Sequence, residues 1–182
     1  LVRRLAGKAR VLLFSLFFVI EFKGQAQGTQ PTEYQIEAAY LYNFARFVDW
    51  PPQAFASTNA PMVIGVLGDN VFGNSLHTII NSKKINGHEL QFQQFDSAMA
   101  ATNCQILFIS SSEKSHLSKI LGQLRGTKIL TVSEADNFIG DGGMIYLFID
   151  EQSRVRFQIN NNAARNAGLT ISSKLLSLAA NN

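Results

Sequence analysis

Two arginines, Arg154 and Arg156, carry the most suggestive polar chemistry in the sequence. Alternation along a strand puts both guanidiniums on one face, about 7 Å apart, where they can clamp a carboxylate or a phosphate. The same face can instead be solvated and paired with acids such as Asp150 and Glu151. Other groups fall short of a reaction. His77, His88 and His116 show none of the short spacings of a metal motif, so no metal is expected. Ser110-Ser111-Ser112 follows an apolar run but lacks the Gly-x-Ser-x-Gly elbow of a nucleophile, and Ser110 with Glu113 fits a helix capping box instead. Gly65-Val-Leu-Gly68-Asp69-Asn70 lacks the third glycine and basic partner of a phosphate loop and reads as a tight turn between strand and helix. Without a nucleophile paired to a base, a metal set or a cofactor motif, the residues point to binding rather than catalysis.

The 182 residues are 46% hydrophobic and 16% charged, which suits one globular domain and excludes a disordered or collagen-like chain. A net charge of +3 and a pI near 9.1 suggest nucleic acid until the charge is located. Arg3, Arg4, Lys8 and Arg10 precede the apolar run Val11 to Ile20, and Gly24 and Ala26 then place small residues before Gln27. This is the three-part pattern of a secretory signal peptide over residues 1–26, its apolar run too short to span a bilayer. Its removal takes five of 16 Lys and Arg and one of 13 acids, leaving 11 against 12 and a net charge of −1. No nucleic-acid partner is therefore expected. Residues 27–182 should form one soluble exported domain, in which Cys104 has no partner for an internal disulfide. Lying just ahead of Gln105-Ile-Leu-Phe-Ile109, Cys104 reads as a buried, inert thiol; a redox role or an intermolecular disulfide would require exposure.

The elements that position these groups follow from periodicity. A helix from Thr32 or Glu33 to about Val48, ended by Pro51-Pro52, carries Ile36, Tyr40, Phe44 and Phe47 on one face. Tyr34, Leu41 and Tyr42 widen its apolar surface, so the helix is buried on two sides or serves a partner with one. Asn43 and Arg46 sit among these aromatics and Trp50 at the exit, which makes them candidate contact residues. Strands are expected at Met62–Leu67, Glu89–Phe95, Cys104–Ile109 and Lys128–Val132, with helices at Phe72–Asn81 and Ser112–Leu124 between them. Near-continuous apolar strands separated by helices imply a mostly parallel sheet in a three-layer αβα sandwich. The loops Gly68–Asn70, Ser110–Ser112 and Ser133–Asp136, at the strands' carboxyl ends, would line its usual ligand crevice. Met144–Ile149 and Arg154–Ile159 flank a polar turn and form an antiparallel hairpin, after which short helices at Asn161–Ala167 and Ser173–Ala179 close the chain.

Several segments together resemble the YfiR family of periplasmic regulators. They are Ala38 to Pro51 (AAYLYNFARFVDWP), Ile64 to Asp69 with Phe72-Gly73, Cys104 to Ser110, Ile129 to Ser133, Gly142 to Ile145, Arg154 to Asn160 and Ala163 to Leu176. The resemblance implies a non-catalytic, cofactor-free periplasmic protein that holds a membrane-bound diguanylate cyclase inactive, linking envelope signals to cyclic di-GMP and biofilm formation. It also implies sequestration by an OmpA-type outer-membrane lipoprotein, and a homodimer is a further possibility for the aromatic surface. The family often has a cysteine where Cys104 sits, but near Phe138 and Tyr146, where another pair is expected, this chain has none. Redox control through an internal disulfide is not carried over. The alternatives are a periplasmic small-ligand sensor for another membrane receptor, such as a histidine kinase, and an exported hydrolase or transferase.

Overall fold

A computed structural model describes residues 31–180. The signal-peptide expectation at residues 1–26 lies outside the described residues. Thr32 starts the longest helix, α1 (Glu33–Phe47), through a capping box: its hydroxyl accepts from the Gln35 N–H and the Gln35 side chain accepts from the Thr32 N–H. Leu41, Phe44, Ala38 and Ala45 are fully buried, and Tyr34, Ile36, Tyr40, Tyr42 and Phe47 pack half-buried against the same core. The wide apolar surface is thus spent mainly within the fold.

After the short strand β1 (Val48–Asp49) come β2 (Met62–Leu67), α2 (Ser75–Ile80), β3 (Lys84–Ile85), β4 (His88–Phe95) and β5 (Ile106–Ile109). A six-residue 3₁₀ turn, Ser111–His116, leads into α3 (Leu117–Leu124), followed by β6 (Leu130–Ser133), β7 (Ile145–Ile149), β8 (Val155–Ile159), α4 (Asn161–Asn166), β9 (Thr170–Ile171) and α5 (Ser173–Leu178). The main sheet runs β3-β4-β2-β5-β6-β7-β8. Its five central strands are parallel, and β3 and β8 pair antiparallel at the two edges. The helical stretch foreseen from Ser112 is therefore half 3₁₀, and the capping box there is incomplete. Ser110 Oγ does accept from the Ser112 N–H, but the Glu113 carboxylate turns to His116 Nδ1 at 3.2 Å.

Alternation divides the buried side chains between two layers. Ile64, Val66, Ile106, Phe108, Leu130, Val132 and Phe157 face α1, α2, α4 and α5, while Leu67, Leu107 and Ile109 face α3 and Phe138. This is the αβα arrangement. Outside the main sheet, β1 and β9 form a two-residue antiparallel ladder, Val48 with Ile171, that ties the end of α1 to the chain's last segment.

Gln105, 1% exposed, stands just before β5, where its backbone already bonds to Val63 and Leu130 on the two neighbouring strands. Its Oε1 accepts from the Val63 N–H at 2.7 Å, and its Nε2 donates to the Ala54 carbonyl at 2.6 Å. Replacing it with leucine keeps the volume but leaves both groups partly buried without these partners, a penalty of about 1–3 kcal/mol for the two. Gln105→Leu should therefore lower the urea midpoint strongly; a change under about 0.5 kcal/mol, as for an ordinary surface site, would show the amide to be dispensable.

Candidate functional site

In an open parallel sheet, ligands sit outside the carboxyl ends of the strands where the strand order reverses. Here β4 lies on one side of β2 and β5 on the other, which puts that point between β2 and β5. It is filled. Gly68 turns there with φ +86°, and a side chain on it would lie 2.5 Å from Ser112 Oγ and 2.9 Å from Glu113 Cγ. Ser112 Oγ also accepts from the Asp69 N–H at 3.0 Å, joining the two loops. The second glycine therefore serves the turn. The opening lies one strand along, where Ser111 follows β5, Glu134 follows β6 and the first turns of α1 close a cleft of about 310 Å³.

Three carboxylates line this cleft: Glu33 and Glu37, one helical turn apart on α1, and Glu134. Each offers an oxygen such that all three lie within 4.8 Å of one another. Glu134 Oε1 accepts from the Ser111 hydroxyl at 2.9 Å. Glu37 is 1% exposed, and its Oε2 has no hydrogen-bond partner. Burial first, then the charges of Glu134 and Glu33, push the Glu37 carboxyl up to about 8. Burial and the same acids also raise the Tyr34 phenol. No cation pairs with any of the three among the described residues. The arrangement can hold a proton or a hard metal ion.

The structure places the five sequence-derived contact residues in three separate settings. Arg154 is bound within its own hairpin: its Nε donates to Asp150 Oδ2 at 2.9 Å and its Nη2 to Gln152 Oε1 at 2.8 Å. Asp150, held below the usual carboxylate range chiefly by this bond, also accepts from the Gln152 and Arg154 backbone N–H groups, so Arg154 braces the turn. Arg156 pairs across the hairpin with Phe148, and both arginines line a cleft with Ile36, Tyr40 and Leu178. Arg46 is exposed in the last turn of α1, its guanidinium 5.8 Å from the Tyr42 ring and 5.5 Å from that of Phe47. Lys83 lies over Tyr42 at 4.3 Å and Lys174 over Phe47 at 5.3 Å, which makes this flank cationic and aromatic. Asn43 is half-buried one turn earlier. Trp50 donates its indole N–H to the Gln105 carbonyl at 3.1 Å and lines a cavity of about 430 Å³ with Phe55, Met62 and His88. The His88 ring stacks on Phe55 at 3.9 Å, with Nδ1 2.6 Å from the Ala60 carbonyl.

A family model described as YfiR/HmsC-like matches residues 34–180. The chain belongs to the YfiR/HmsC-like family. No curated protein matches it. The YfiR/HmsC-like match begins in the first turn of α1 and ends at Ala180, whose N–H donates to the Phe157 carbonyl on the outer edge of β8. It therefore takes in both layers and, of the three carboxylates of the cleft, Glu37 and Glu134, with Glu33 one residue outside it. Sequence reasoning named the loops holding Ser111 and Glu134 but missed Glu37. The available signal was a charged residue inside the stripe Tyr34, Ala38, Leu41, where the helical period calls for an apolar one.

Cys104 is buried, and desolvation pushes its thiol up to about 12. Because the thiolate is the reactive form, native protein at pH 8 should resist a thiol reagent and label only as fast as it unfolds. Stoichiometric labelling within seconds of mixing, with the fold intact by circular dichroism, would contradict this.

Proposed function

We propose that this protein is a non-catalytic periplasmic regulator that binds a membrane-bound diguanylate cyclase and holds it inactive, so that signals relieving the contact raise cyclic di-GMP and favour biofilm formation. The observation that carries the reading is membership of the YfiR/HmsC-like family across nearly the whole described domain. Among the described residues no helix is long and apolar enough to cross a membrane, as a periplasmic location requires of this part of the chain. Repression needs only a preference for the inactive cyclase, and about 3 kcal/mol of differential affinity shifts that equilibrium more than a hundredfold.

Two surfaces are assigned to partners in this reading. The flank of α1 with Asn43 and Arg46 suits an acidic partner, because Arg46, Lys83 and Lys174 have no acidic partner among the described residues. The cleft with Arg154 and Arg156 is the second, for a carboxylate or another anion. An OmpA-type outer-membrane lipoprotein, or a second copy of this chain, would relieve repression by covering either one. Deleting the gene should raise cyclic di-GMP. Complementation with Arg46→Glu/Lys83→Glu should fail to restore repression, although exposed substitutions of this kind cost only about 0.5 kcal/mol of stability. No rise on deletion, in cells that express a membrane-bound diguanylate cyclase, removes the repressor reading.

The cavity beside Trp50 favours a second reading, a small-ligand sensor for another membrane receptor such as a histidine kinase. Its apolar lining with a few convergent polar groups is the usual form of a ligand pocket. Trp50 is the single tryptophan, so saturable quenching of its emission by a periplasmic small molecule, together with unchanged cyclic di-GMP on deletion, would select this reading.

A further inference from the structure

We propose that Glu33, Glu37 and Glu134 form a binding site for a hard divalent cation of Ca²⁺ size, which staples the first turns of α1 to the loop after β6. Two independent observations point to it. Three carboxylate oxygens from two distant parts of the chain converge within 4.8 Å with no lysine or arginine among them. Glu37, almost wholly buried, lines the cleft and holds Oε2 without any partner. A fold that encloses a carboxylate oxygen and gives it no donor leaves that oxygen to a counter-charge or to a proton, because an ionised carboxylate only accepts.

The donor set and its spacing suit a Ca²⁺-sized ion. All three ligands are oxygen, which suits Ca²⁺, Mg²⁺ or Mn²⁺ better than zinc, whose sites favour nitrogen and sulfur. Two oxygens bound to one Ca²⁺ at 2.3–2.6 Å are separated by at most about 4.6–5.2 Å, whereas Mg²⁺ at 2.0–2.1 Å allows at most about 4.2 Å. Oxygens that lie within 4.8 Å of one another fall inside the span that the larger ion can bridge. Exposed Glu33 leaves the outer side of the cleft open for the waters that complete a Ca²⁺ shell. Ser111, by donating to Glu134 Oε1, orients that carboxylate as an outer-shell partner orients a ligand.

The competing resolution is a proton on Glu37, since burial and two neighbouring acids favour its neutral form. The two differ in what added metal does. With protein stripped by EDTA, CaCl₂ should raise the melting temperature by several degrees and MgCl₂ by less, with a Ca²⁺ dissociation constant of about 10⁻⁴ M or below. Tb³⁺, which takes Ca²⁺ sites, should luminesce on excitation of the tyrosines, because Tyr34 lines the same cleft. Glu33→Gln, at an exposed position that leaves the fold intact, should weaken Ca²⁺ binding about tenfold, and Glu134→Gln at least as much. Glu37→Gln should abolish it while leaving the stripped protein no less stable. Absence of a Ca²⁺-dependent melting shift and of Tb³⁺ luminescence in the wild-type protein overturns the proposal and assigns Glu37 a proton. An equal response in wild type and all three variants overturns it as well, since the ion would then bind elsewhere. Neither result depends on the cyclase.

Discussion

The amide of Gln105 is the interaction on which the rest of the sheet depends. β2 needs a neighbour from Met62 onward, yet the paired backbone of β5 begins only at Ile106. Gln105 covers the gap by presenting both of its amides. Its main-chain N–H donates to Val63 O, its side-chain oxygen accepts from Val63 N–H, and its main-chain carbonyl accepts from both Leu130 and the Trp50 indole. One buried residue thereby sets the register of three strands and pins the exit of α1 and the loop at Ala54 against them. A leucine would have fitted the core by volume. Only a group with a donor and an acceptor, held at fixed separation, can satisfy both the Val63 N–H and the Ala54 carbonyl that the backbone ladder leaves unpaired.

Closing the amino ends of the strands in this way leaves the carboxyl ends to carry any site, and there the packing is uneven. Ser112 and Glu113 occupy the reversal point beside Gly68. The next position is roofed by α1, a helix otherwise committed to the core through Leu41 and Phe44. A carboxylate on that helix face is costly unless something compensates it, and Glu37 is therefore the residue whose presence packing alone does not explain.

The sequence disclosed those elements whose apolar pattern is long enough to have a period. Met62–Leu67 was legible to the residue, the mostly parallel sheet followed from apolar runs separated by helical ones, and the hairpin from the polar turn between two apolar runs. β1 and β9 were not legible: each contributes two residues, and their pairing joins Val48 to Ile171 through tertiary contact alone. The half-3₁₀ start before α3 was hidden because Ser110 and Glu113 have the spacing of a capping box, while the bond that Glu113 makes with His116 depends on three-dimensional arrangement. Arg154 and Arg156 were legible as a pair. What alternation could not show is that Asp150 and Gln152 already hold one of the two forks. Glu37 was visible as a break in a stripe, but its meaning needed Glu134, nearly a hundred residues away in the chain.

The placement of charges on α1 constrains how a signal could act through this domain. Glu33 and Glu37 stand in its first turns and Arg46 in its last, on one continuous helix of 15 residues, roughly 22 Å long. Its far end is fixed by the β1–β9 ladder and by the Ser172 N–H bond to the Phe47 carbonyl. Such a rod transmits displacement rather than absorbing it, because its core face is close-packed. A ligand at the carboxylate end can therefore alter a contact at the Arg46 end only if the helix has two seats that the ligand distinguishes by affinity. Linkage then makes the effect reciprocal: a partner that binds better when the cleft is filled must itself tighten the cleft by the same factor. A fold that joins two charged ends by a packed helix, anchored at one of them, is suited to that kind of exchange without any chemistry.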